Sequence, residues 1–319
     1  MRRPGSGGQS TRQGPQRPPQ AEPARLSRSF LHRRDNGSTA RAFRRLAPIS
    51  PLRQDWTRPA PAIQIPTGVV TALWRHPVKG FTPEPLEAVD LTAGGWFTGD
   101  RMFAVEDGPS GFDRAAPEHL PKQKFTVLMR TAEVAGVHTR WDEAARVLHV
   151  AATGHPALAM AVDDPAERAT FEVWLAGVLG EAVSGPLKLV SAEGLDHRFM
   201  DHPLGRLSIL NLASVRDFEA RVGRPVDPLR FRANVWVEGW PAWIENDGTG
   251  RELTLGSTRL TGVKPIVRCA ATHVDPHTAT RDFDLVPALF EQYGHRWCGL
   301  YATIAEGGTV RVGDRLEMT

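Results

Sequence analysis

From Thr67 onward the chain breaks into short runs in which apolar and polar residues alternate, the spacing that sends successive side chains of a strand to opposite faces. The first run is GVVTALWR, where Val69, Thr71 and Leu73 alternate with their neighbours as in a half-buried strand. Pro77 ends it, having no N–H for a sheet partner. Strand patterns return at 86–91 and 101–106 around a Gly94-Gly95 turn, and together these predict neighbouring strands of one sheet or barrel. Residues 125–135 predict a short helix, and the arms of VHTRWDEAARVLHV predict a hairpin about Asp142-Glu143. Asp164 before Pro165, Phe171, Trp174, Leu175 and Val178 at helical spacing, and a closing Gly180 predict a helix over 163–180 that joins two halves.

The second half, from about Leu187, reads as short strands in LKLVSA, FRANVWVEG, ELTLG, TRLTGVKP, VRCAATHV, LYATIAE and TVRVGDRLEM. Two helices interrupt them. One, over 214–222, shows Val215, Phe218 and Val222 on one face, with Ser214 as its cap and Asp217 reaching back; the other, over 284–293, shows Leu285, Leu289 and Phe290. The fold class is therefore mainly β with helical insertions (α+β), a barrel or sandwich, with no internal repeat.

Composition adds a division to this picture. The net charge of +3 is about +10 over residues 1–60, which hold thirteen arginines and three acids, and about −7 over the rest. Residues 1–66 are rich in Arg, Pro, Gly, Ser and Gln and too poor in apolar groups to offset the entropy of ordering, so a disordered basic tail is expected there. An organelle transit peptide or a nucleic-acid arm would share that composition, yet no aromatic interleaving supports nucleic-acid binding, and a start without a function of its own is the simpler reading. No run of eighteen apolar residues is present to span a membrane, and no signal peptide is evident, so a reduced, cytoplasmic setting is expected. Two cysteines exclude four-cysteine zinc and iron–sulfur sites within this chain.

One of those cysteines sits in KPIVRCAATHVDP, after Arg268 and at the end of the β-branched pair Ile266-Val267. A guanidinium beside a thiol favours the thiolate, which is both a nucleophile and a ligand for soft metals, so Cys269 is the candidate reacting centre. A buried core thiol would give the same local pattern. Cys298, between Trp297 and Gly299, reads as a core residue. His273, His277 and His295 are scattered without the HExxH spacing of zinc hydrolases, and Asp275-Pro276 reads as a turn that shapes the loop beyond Cys269.

The set HPVKG (76–80), GDR (99–101), PLGRLSILNLAS (203–214), FRANV (231–235), VRCAATHVDPHT (267–278) and GTVRVGD (308–314) resembles the MOSC proteins. It is most similar to the two-part type typified by the mitochondrial amidoxime-reducing component and its bacterial relatives. The resemblance covers residue 67 to the end and implies a tail over 1–66, an N-terminal MOSC β-barrel-like domain with a linking helix over 67–192, and a MOSC domain over 193–319. It also implies a molybdenum cofactor (molybdopterin), with Cys269 as the protein's one bond to the metal. Because the pterin supplies two sulfurs of its own, one thiolate suffices.

The cofactor's phosphate calls for cations and helix ends. Lys79 follows the strand break at Pro77, and Gly80 stands where relatives often have serine. Ser214 opens a helix whose free N–H groups favour an anion, with Asn211 in the approaching loop. Arg232 and Asn234, two apart on an expected strand, share a face. The resemblance adds Arg101, Arg268 and Tyr301 to the pocket. The implied activity is oxidoreduction of N-hydroxylated or other oxygen-bearing small molecules, with electrons from a separate flavin or iron–sulfur donor protein. The alternative is a carrier that holds the cofactor or a persulfide on Cys269. A pyridoxal phosphate label belongs to the resemblance at family level only, and no residue here is assigned to it.

Overall fold

The computed structural model describes residues 67–319, and the expected disordered tail over 1–66 lies outside the described residues. The first strands are β1 (Gly68–Arg75), β2 (Glu84–Leu86), β3 (Ala88–Leu91), β4 (Phe103–Asp107), β5 (His138–Asp142), β6 (Val147–Ala152) and β7 (His155–Ala161). After helix α1 (Pro165–Leu179) come β8 (Leu187–Ser191), β9 (Leu207–Asn211), α2 (Leu212–Val222), β10 (Val235–Glu238), β11 (Glu252–Leu255) and β12 (Thr258–Val267). Helix α3 (Leu285–Tyr293), β13 (Trp297–Glu306), β14 (Gly308–Arg311) and β15 (Arg315–Met318) complete the described chain.

Seven strands close a barrel in the order β1-β10-β9-β13-β12-β11-β15, returning to β1, and β2 extends from the end of β1. Neighbouring barrel strands are antiparallel except β9 and β10, whose parallel pairing requires a crossover; α2 lies within that crossover. The interior is filled by side chains such as Leu73, Ile209, Val235, Leu260, Leu300 and Leu316, all fully buried. Closing the ring removes the free edges that an open sheet would present.

The alternation in β1 is broken once. Val69 and Thr71 are exposed, yet Val70 and Leu73, three apart, both face the core, because the register with β10 shifts between Val70 and Ala72. A bulge of this kind re-aims the rest of its strand, so Leu73 does not share a face with Val69 as simple alternation implies.

Around the barrel lie the β3–β14 ribbon, the β4–β8 ladder and the β5-β6-β7 meander. Phe171 and Leu175 of α1 enter a second core with Phe103, Trp141 and Leu148. Helix α1 matches its expectation: the Asp164 carboxylate accepts from Ala166 N–H at 2.8 Å, Pro165 occupies the first turn and Gly180 terminates it.

Three local expectations are corrected. Residues 125–135 form no α-helix. Phe125 bridges Glu106 and Thr126 N–H donates to Val105 at 2.8 Å, so the start of the segment runs along β4; Arg130 N–H and Thr131 N–H then turn back onto Val127 O at 2.8 and 2.9 Å, and a 3-10 turn follows at Ala132–Gly136. Phe290 on α3 is exposed, while Leu285 and Leu289 are buried. The FRANV segment becomes strand only at Val235, because Arg232 ends a 3-10 turn in left-handed backbone.

Candidate functional site

The cleft lies at the rim of the barrel, where β12 stops. Arg268 N–H makes the last tie across to Arg296 O at 2.8 Å; Cys269 then leads a 3-10 turn at Ala270–His273, with Thr272 N–H and Oγ1 both donating to its carbonyl at 3.0 Å. The Cys269 thiol is thereby left half-buried on the wall of a cavity of about 210 Å³. Beyond the turn, Asp275 accepts from His277 N–H and Thr278 N–H at 2.9 Å and from Arg230 at 3.0 Å, which fixes the returning loop.

Seven cationic side chains line this cavity (Lys79, Arg101, Lys122, Arg230, Arg232, Lys264 and Arg268) against one carboxylate, Asp201. The cation at the thiol is Lys122, whose Nζ lies 3.1 Å from Cys269 Sγ and 3.5 Å from Asp201 Oδ2. Burial opposes the charge on this ammonium, but Asp201 and Cys269 outweigh it and raise its pKa. Arg268, the neighbour in sequence, turns away: its guanidinium donates to Cys298 O and, at 2.7 Å, to Phe231 O. Arg268 ties the barrel rim together and acts on Cys269 through its field alone, while the direct contact to the thiol comes from Lys122.

Lys79 Nζ donates to Asp201 Oδ1 at 2.6 Å and to Phe199 O at 2.8 Å; burial pulls its pKa down and Asp201 opposes the drop. Arg101 and Arg232 meet across the cleft. Both have left-handed backbone, uncommon for a residue with a Cβ, and Arg101 Nη2 donates to Arg232 O at 2.9 Å while its Nη1 pairs with the buried Asp100. Arg232 Nη1 donates to Phe81 O at 2.7 Å, whereas its Nη2 is buried with no partner among the described residues. Burial, and then Arg101, pull the Arg232 pKa down to about 9, which still leaves a cation at neutral pH. Tyr301 lines the same cavity, stacks on His202 with centroids 5.7 Å apart, and has its hydroxyl pKa pushed up to about 12, first by burial.

Three expected site residues lie elsewhere. Asn234 is fully buried and accepts from Ser208 Oγ at 2.8 Å while donating to Trp74 O at 3.1 Å, which joins β1 to β9. Asn211, and not Ser214, caps α2, accepting from Ala213 N–H at 3.1 Å. Ser214 Oγ donates to Glu245 at 2.9 Å, and Asn211 Nδ2 to the same carboxylate oxygen at 3.0 Å. This helix end already holds an internal, fully buried carboxylate and does not reach the cavity. Asp217 does not reach back to the cap either; it accepts from Trp243 Nε1 at 2.8 Å and Tyr293 OH at 2.7 Å.

Sequence reasoning missed Lys122, Asp201, His202, Arg230 and Lys264. A signal for the lysines existed. The chain has five lysines against thirty-four arginines, and three of the five (Lys79, Lys122 and Lys264) converge on this cavity.

Two family models match consecutive parts of the chain. Residues 67–184 match the MOSC N-terminal beta barrel domain and residues 196–317 match the MOSC domain. The chain is 29% identical over 120 residues to mitochondrial amidoxime-reducing component 1 of Mus musculus and 30% identical to its Homo sapiens counterpart. Each alignment covers 33% of this chain and 34% of the relative, so the match spans about a third of either protein. Among solved structures, the YuaD protein from Bacillus subtilis aligns over 79% of this chain and 95% of its own, with a TM-score of 0.38 and 13% identity. YiiM from Geobacillus stearothermophilus aligns over 36% and 54%, with a TM-score of 0.29 and 19% identity.

Proposed function

We propose, from the premise that this chain belongs to the MOSC-domain proteins and carries the MOSC N-terminal β-barrel domain ahead of the MOSC domain, that it binds a molybdenum cofactor through Cys269 and reduces N-hydroxylated or related N-oxygenated small molecules. The observation that carries this reading is one accessible thiol, contacted by an ammonium at 3.1 Å, on the wall of a cavity rich in cations. The donor set fits the group. A thiolate suits a soft metal, Lys122 compensates its charge, and the unpartnered Arg232 Nη2 is a buried donor in want of an acceptor such as a phosphate or pterin oxygen. Lys79 and Arg101 add positive charge to the same wall.

When bound, the cofactor supplies a two-electron centre at which an N–O bond is cleaved, so that a hydroxylamine, two electrons and two protons give an amine and water. The chain's own residues hold and orient. Asp201 keeps Lys79 and Lys122 in place, and the two left-handed arginines bring the N-terminal and C-terminal walls together. Electrons come from a separate flavin or iron–sulfur donor protein, since two cysteines do not hold a four-cysteine cluster.

Metal and labile-sulfur analysis of the purified full chain, followed by reduction of a hydroxylamine-type substrate with an artificial donor, tests this reading. Stoichiometric molybdenum with turnover is the expected result. Metal-free protein carrying labile sulfur on Cys269 would instead identify a sulfur or cofactor carrier.

A further inference from the structure

Among the residues that line the cleft is a short apolar stretch that the proposed cofactor contacts do not use: Val127 and Leu128, both buried, and the half-buried Met129. A single guanidinium fixes this stretch beside the reacting centre. Arg281 Nη2 donates to Leu128 O at 2.7 Å and its Nη1 donates to Ala270 O at 3.2 Å, so the residue next to Cys269 and the apolar wall share one clamp. Gly80 sets the approach from the other side. Its φ of +90° suits glycine, and a Cβ there would lie 2.6 Å from Thr126 O and 3.2 Å from Val127 Cα. The wall is thus held against the cleft from both halves of the chain.

We propose that Val127–Met129, clamped to the Cys269 turn by Arg281, is the substrate side of the cleft and selects molecules whose N–O group is carried on an uncharged apolar body. This inference rests on the reading above for the position of the reacting centre. In the loaded cleft the lining cations are matched by Asp201 and by the cofactor's own anionic groups, so a charged substrate body would be desolvated against Val127–Met129 without a free partner. An uncharged molecule with an apolar tail gains from burial against Leu128 and Met129, and an unbranched thioether adapts to tails of different shape.

The test uses the full chain with its molybdenum content measured, and n-alkyl hydroxamic acids from acetohydroxamic to octanohydroxamic acid, which are uncharged at neutral pH. Calorimetric Kd and reduction by an artificial donor are both recorded for each. Kd should fall about three- to fourfold per added methylene until the shelf is filled. Met129→Ala and the polar, similarly long Met129→Gln should each cut the octano-over-aceto preference by about tenfold. Circular dichroism and thermal melting verify that both variants are folded. A Kd that is flat across the series, or a preference that survives in both variants, overturns the shelf. Reduction without chain-length dependence overturns the shelf and leaves the proposed reaction standing. Chain-length-dependent binding without any reduction does the reverse.

Discussion

A thiol that is to accept a soft metal needs an open side and a nearby positive charge, and the two cysteines divide on both points. Cys269 is half-buried with Lys122 at 3.1 Å; Cys298 is fully buried, and burial pushes its thiol pKa far up. Cys269→Ser should therefore abolish reduction and bound molybdenum while melting within a few degrees of wild type, and Cys298→Ser should retain both at a modest cost in stability. Activity that survives the first change and dies with the second reverses the assignment.

Lys79 and Arg232 of the cation wall differ in the same residue-by-residue way. Lys79 is already satisfied by Asp201 and Phe199 O, so Lys79→Ala should show first as a loss of stability. Arg232 keeps one buried N–H group free, so Arg232→Ala should remove a charge-assisted contact of about 1.5–3 kcal/mol to the cofactor and weaken its retention by roughly tenfold to a hundredfold. Molybdenum per protein after gel filtration reads both. Full occupancy in Arg232→Ala would show that the cofactor does not use this wall.

At the scale of elements, the N-terminus of α2 is an anion site that the protein fills from within. Glu245 accepts from Ser214 and Asn211, and burial raises its pKa. Asn211→Ala should remove the helix cap and one donor to that carboxylate, destabilising the chain by about 1–3 kcal/mol in urea while leaving molybdenum content unchanged. A variant that stays stable but loses molybdenum would return the helix end to the cofactor.

This helix also shows where sequence was legible. Its apolar face, Val215 and Phe218, is a local pattern and was readable, as were α1 with its Asp164 cap and the β5–β6 hairpin. Glu245 comes from a turn that no local pattern joins to Ser214, so the competing carboxylate was invisible. The bulge in β1 and the extended path at Phe125 and Thr126 have the same origin, since each is set by a partner strand and not by its own spacing. In the cleft, the thiol was legible from its motif. The charge in direct contact with it was not, because Lys122 reaches Cys269 from 147 residues away, whereas the adjacent Arg268 is committed to Cys298 O and Phe231 O.

At the scale of the whole molecule, the cleft is assembled over a buried titratable group. His76 follows the barrel's closing strand, is fully buried, and lies between Asp100, whose Oδ1 is 3.4 Å from His76 Nδ1, and the arginine pair Arg101 and Arg232. Burial first, and then the two guanidinium groups, lower its pKa to about 3 despite the opposing carboxylate. The unfolded chain, with an ordinary histidine near 6.5, binds this proton more readily than the folded one. The stability that neutral His76 contributes is therefore complete above about pH 6.5 and is lost as pH falls from there toward 3, at about 1.4 kcal/mol per pH unit for one proton. Burial works against the Asp100 charge, but Arg101 and the hydrogen bonds from His76 together hold its carboxyl below the usual range, which adds a loss of the same sign at the acid end. Glu245 acts in the opposite direction, since its raised pKa contributes stability at low pH that is lost as pH rises above its ordinary value. Comparing wild type with His76→Gln at matched molybdenum content cancels the Glu245 contribution, and above about pH 5 Asp100 is ionised in the folded and unfolded chain alike and drops out of the slope. Urea midpoints and slopes at pH 5, 6 and 7 should show the wild type losing stability more steeply than the variant by nearly one proton's worth. Parallel lines would mean that His76 takes up its proton without unfolding the chain, and that the two arginines above it are not packed on a neutral ring.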